Sequence, residues 1–164
     1  MKKITISKNS LRILSLSLES NPKGYNRKDL RQLDKIVLDV FSPIASYNEN
    51  IEKLIKELKQ KVKETPDKSV QLDGEYNEKI NNVAEGEGKE KIEIKIEDAD
   101  YDFVKAKWEV SENFRGDKRV RKSVMEIEDA LEKAVNVEDS PKEQEKKTEN
   151  ATNTSEKKEE KITN

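Results

Sequence analysis

The sequence predicts an α+β fold that is mainly helical: a long kinked helix and a helical hairpin, a small two- or three-stranded sheet, and a disordered C-terminal tail. Three observations carry this expectation. Apolar residues recur three and four apart from Leu30 to Val62, the period of one helix face. The stretch "KIEIKI" over 91–96 alternates isoleucine with charge, placing three β-branched side chains on one face of a strand. Residues 138–164 hold one large aliphatic side chain, Ile162, among charges and polar filler. Nothing there offsets the ~1 to 2 kcal/mol of backbone entropy that each ordered residue costs. The expected division is therefore a single mainly helical domain over 1–137 and a disordered charged tail over 138–164.

Along the chain, residues 2–7 predict a short strand in which Ile4 and Ile6 alternate with polar neighbours. Asn9 or Ser10 offers a cap for a helix carrying Leu11, Leu14 and Leu18, widened by Ile13 and Leu16. Pro22 and Gly24 stop that helix, and Asn26 caps the next. A helix over 27–64 would reach ~55 Å if straight. Pro43 lies inside it and costs about 3 kcal/mol in a helix interior, so a kink or short break is expected near 41–43. Pro66 ends the run. Asp73-Gly74 then predicts a turn, with residues 69–72 as a third short strand. After the loop "EGEGK" come the strand over 91–97 and a helix from about Ala99 that carries Tyr101, Val104 and Trp108. A hinge, "ENFRGDK", leads to an amphipathic helix with Val120, Val124, Ile127, Leu131 and Val135.

Composition narrows the chemistry. Hydrophobic residues are 32% of the chain and charged residues 41%, so apolar side chains must be concentrated in stripes to bury anything. The net charge of -2 favours neither nucleic acid nor a basic partner. The chain has no cysteine and no histidine, which excludes thiolate nucleophiles, disulfides, thiolate or imidazole metal sites and histidine general bases. In "MKKITISKNSLRILSLSLES" Arg12 and the serines interrupt the apolar run, and no small-residue cleavage site follows, so a signal peptide is not expected. Nothing approaches the ~18 apolar residues of a membrane span. A soluble protein used where it is made, with no membrane partner, is the expectation.

Candidate sites are few. Glu97, Asp98, Asp100 and Asp102 are oxygen donors of the kind that bind calcium or magnesium. They lack the glycine and terminal glutamate of a calcium-binding loop, and are read as helix-start electrostatics, so no metal or cofactor is expected. The long apolar stripe exceeds what the shorter helices can cover. Val40, Phe41, Ile44, Ile51, Leu54 and Leu58 are therefore the predicted protein-interaction face, with Trp108 as core anchor or exposed hot spot. The first 35 residues are locally basic, and Arg27, Lys28 and Arg31 are the candidates for phosphate contact, with Tyr25 available to stack on a base. Arg115 to Lys122 form a second basic knot.

The order of elements, carried by "KKITISKNSLRILSLSLES", "NIEKLIKELKQKVKE", "LDGEY" and "DKRVRKSVMEIEDALEKAV", resembles small proteins of uncharacterised function encoded among the structural genes of tailed phages. The resemblance implies an accessory or virion-associated protein without catalysis, in the host cytoplasm or the virion, and supplies no site residue. The expected function is docking onto another protein or onto copies of itself. Inhibition of a host defence protein or enzyme, and nucleic-acid binding through the basic first third, are the alternatives.

Overall fold

A computed structural model describes residues 1–20, 24–111 and 118–137. Strand β1 (Lys2–Ser7) alternates as the pattern predicts, with Ile4 and Ile6 buried and Thr5 exposed. Ser7, still extended, caps helix α1 (Lys8–Glu19), and its hydroxyl accepts the Ser10 N–H at 3.3 Å. The cap thus falls earlier than the Asn9 or Ser10 expected from sequence. Helix α1 is buried around most of its circumference: Leu11, Ile13, Leu14 and Leu18 are joined by the small Ser10, Ser15 and Ser17. Short side chains let neighbours approach closely, and β1 and the later helices pack around α1.

Gly24, at φ +91°, turns the chain in the left-handed region open to glycine. Helix α2 (Arg27–Asp39) then starts on a reciprocal cap: the Asp29 N–H donates to Asn26 Oδ1 at 2.8 Å, and the Asn26 N–H donates to Asp29 Oδ2 at 3.2 Å. The expected break follows. A 3-10 turn, Ser42–Ile44, places Pro43 at a helix start where its missing N–H costs nothing, and α3 (Ala45–Glu64) continues from there.

The next segment differs from the sequence reading. Residues 69–72 are not a strand and Asp73-Gly74 is not a turn; both lie in helix α4 (Ser69–Glu85), which folds back on α3 after a 3-10 turn at Pro66–Lys68. Leu72, Tyr76, Ile80 and Val83 have helical spacing and lie buried or half-buried. Tyr76 is fully enclosed, with the ammonium groups of Lys61 and Lys79 at 5.4 and 4.6 Å from its ring centroid. Burying that face against α3 outweighs the roughly 1 kcal/mol that one glycine costs in a helix.

Strand β2 (Lys91–Ile96) pairs antiparallel with β1, Ile4 opposite Ile94 and Ile6 opposite Ile92. Helix α5 (Asp98–Val110) lays Tyr101, Val104 and Trp108 into the core, and α6 (Arg121–Glu132) adds Ile127, Ala130 and Leu131. The third strand is β3 (Val135–Asn136), which pairs with Lys2 and Lys3, so Val135 leaves the helix that its spacing suggests. The sheet order is β2-β1-β3, with the first strand in the middle. The expected hinge over 112–117 and the tail over 138–164 lie outside the described residues.

Candidate docking surface

The predicted interaction face is a core face. Phe41, Ile44 and Ile51 are buried within the chain, Val40 is half-buried against the same core, and Trp108 is buried at 8% exposure. Leu54 and Leu58 are half-buried where α4 packs along α3. The stripe exceeds its cover only while residues 69–74 are taken as a strand and a turn; they begin helix α4, which packs along α3. The large apolar side chains still exposed among the described residues are Met1, ahead of β1, Leu30 and Leu38 on α2, and Val70, Val110, Met125 and Val135 on α4, α5, α6 and β3, scattered and not one continuous stripe.

What stays open among the described residues is a strand edge. In the β1–β2 register the Lys8 N–H donates to the Glu90 carbonyl at 3.0 Å, which fixes the parity of the ladder. Ile92, Ile94 and Ile96 turn their main-chain groups to β1, and Glu93 and Lys95 turn theirs outward. The isoleucines also face the core. The side chains of Lys91, Glu93 and Lys95 stand on the solvent face and are exposed. Among the described elements, β1 is the only extensive neighbour of β2.

The other side of β1 is taken. Strand β3 covers Lys2 and Lys3, and beyond it Glu126 of α6 accepts the Ser7 N–H at 2.8 Å and the hydroxyls of Ser7 and Ser10 at 2.9 and 2.6 Å. Burial pushes the Glu126 carboxyl up, but the hydrogen bonds from Ser10 and Ser7, with Lys91 at 3.6 Å, hold it below the usual carboxylate range. Among the described residues the sheet therefore presents a long free edge only at β2.

The charges on that edge alternate in sign and are lightly engaged. Glu93 lies 3.6 Å from Lys3, Lys91 3.6 Å from Glu126, and Glu97 3.7 Å from Lys35. Exposed pairs at such distances contribute little and exchange partners readily. The acidic start of α5 is shared among separate partners: Asp98 takes the Met1 ammonium at 3.0 Å, while the buried Asp100 takes Gln32 at 3.1 Å and Lys35 at 3.7 Å. Among the described residues no three carboxylates converge as a metal site. Arg27, Lys28 and Arg31 are exposed on α2, brought together on one helix as expected, and form no ion pair among the described residues. No helix among those residues is long and apolar enough to cross a membrane.

Sequence reasoning does not locate the open edge. The alternation of Lys91, Glu93 and Lys95 is visible in the string, but which side of β2 stays open depends on the sheet order. No protein-family model, curated protein or solved structure matches the chain.

Proposed function

We propose that this chain is a non-enzymatic docking protein that binds its partner by adding a strand to the open edge of β2. The carrying observation is that edge: outward main-chain groups at Glu93 and Lys95, no extensive neighbour beyond β1 among the described elements, and exposed side chains of alternating charge. Unpaired strand groups supply affinity through main-chain hydrogen bonds, and the flanking side chains supply register and choice of partner. The resemblance of its layout to small proteins encoded among tailed-phage structural genes supports an accessory or virion-associated role. An inhibitor of a host protein would use the same edge.

The absence of cysteine makes a direct test available. Glu93→Cys and Lys95→Cys, each labelled with a photo-crosslinker, are compared with Lys56→Cys on the exposed side of α3, both in purified protein and in extract of the producing cells. The same adduct from both edge positions and none from position 56 is the expected result. Adducts from all three alike, or none from the edge, overturn the proposal.

A second reading rests on Arg27, Lys28 and Arg31, exposed on one helix without ion-pair partners among the described residues. Nucleic-acid binding through them would weaken steeply with added salt and disappear when all three are neutralised together. A flat salt response removes it.

A further inference from the structure

We infer that the strand which completes the sheet is β2 of a second copy of this chain, paired antiparallel about a two-fold axis at Ile94. This inference rests on the edge-docking reading and names its partner. A two-fold contact matches a surface with itself, so the edge must be self-complementary. That requirement can be checked residue by residue. Because Glu93 and Lys95 carry the outward main-chain groups, only registers that set odd-numbered residues opposite odd-numbered residues form a ladder.

With the axis at Ile94, Glu93 of each copy lies opposite Lys95 of the other, and Lys91 lies opposite Glu97. Each of the four solvent-face positions 91, 93, 95 and 97 then meets its opposite, and the Glu93 and Lys95 main chains exchange hydrogen bonds. On the core side Ile94 meets Ile94 and Ile92 meets Ile96, which extends the buried isoleucine face of each sheet across the junction. The half-buried Ile92 gains cover on its open flank.

The neighbouring registers fail by the same criterion. An axis at Glu93 stacks Glu93 on Glu93 and Lys91 on Lys95. An axis at Lys95 stacks Lys95 on Lys95 and Glu93 on Glu97. Like charges directly opposite each other oppose pairing. Charged side chains, lysine above all, are also a usual means of keeping strand edges apart, and like signs facing each other are what make them do so. Here the signs alternate and the charges stand on the solvent face: an axis at Ile92 opposes only Lys91 to Glu93 and one at Ile96 only Lys95 to Glu97, whereas the axis at Ile94 sets all four positions against opposite charges. The product is one continuous six-stranded sheet, three strands from each copy. A single strand pair is a small contact, so the dimer is expected to be weak and to form with rising concentration.

Sedimentation of the full chain tests this. The wild type should pass from monomer to dimer with concentration, and Glu93→Lys alone or Lys95→Glu alone should associate about tenfold or more weakly, since two attractive pairs become repulsive in each. Mixing the two variants should restore a heterodimer, because Lys at 93 of one chain then faces Glu at 95 of the other. Two misfolded variants would not recover on mixing, so the rescue separates edge pairing from a folding defect. A wild type that stays monomeric through the millimolar range overturns the inference, as does a dimer indifferent to both substitutions or variants that fail to combine. If the chain is monomeric while positions 93 and 95 crosslink to a different protein, self-pairing falls and edge docking stands.

Discussion

Gly88 lies against the ring of Tyr47: a Cβ built at Gly88 would stand 2.5 Å from the Tyr47 hydroxyl oxygen and 3.0 Å from the Cβ of Asn9. The phenol cannot swing aside cheaply, because it is buried and donates to Asn9 Oδ1 at 2.8 Å. Gly88→Ala should therefore destabilise the chain by about 1 to 3 kcal/mol, the usual cost of overfilling a packed site. Urea unfolding of the two proteins side by side measures it.

Gly74 is the opposite case. It sits inside α4 with no atom within 4 Å of the place a Cβ would occupy, and its φ is not in the left-handed region. Gly74→Ala should stabilise the chain by about 0.5 to 1 kcal/mol, through helix propensity and a less disordered unfolded state. The same unfolding curves read out both glycines with opposite signs.

Tyr47 should also make the protein sensitive to alkali. Burial, reinforced by Glu87 and opposed by Arg12, pushes its phenol from the ordinary value of 10 up to about 12. The folded chain therefore holds this proton after the unfolded chain has lost it, so stability falls as pH rises from 10 towards about 12. Tyr47→Phe should flatten that part of the pH profile, at the cost of about 1 kcal/mol at neutral pH for the lost hydrogen bond to Asn9. Thermal melts across the alkaline range check both statements.

Glu126 contributes to the acid limb. Its carboxyl is held below the usual range in the folded chain, so its contribution is fully present above the unfolded pKa of about 4.3 and is lost as pH falls through the lower folded value. Glu126→Gln keeps the shape but removes the charge that accepts from Ser7 and Ser10. It should lower stability at neutral pH by about 1 to 2 kcal/mol and make the acid response shallower. Equal acid profiles for the two proteins would contradict this role.

Features set by neighbours in sequence are legible without the structure. The Asn26 cap, the break at Pro43 and the alternating strands at Ile4 and Ile94 depend on residues a few positions apart. Features set by distant partners are not. Asp73-Gly74 carries a strong local turn signal, yet the enclosure of Tyr76 against α3 decides the segment. Val135 continues the spacing of Leu131, yet it is drawn into β3 by the edge of β1 at Lys3. The apolar stripe is misread as open surface for the same reason: Phe41, Ile44 and Ile51 look like surplus until the core is set in place around them. The charge alternation at Lys91, Glu93 and Lys95 is readable, but its meaning waits on knowing which strand lies at the margin.

The central place of β1 also bears on how the molecule is made. It leaves the ribosome ahead of both its partners: β2 lies far downstream, beginning at Lys91, and the Lys2 to Asn136 pairing closes only when nearly all of the described chain has emerged. During translation β1 has no strand partner until residues from 91 onwards have emerged, so the sheet closes late in synthesis. A pause in synthesis before residue 91 would leave a nascent chain able to form the α3–α4 hairpin but with no strand on either side of its first.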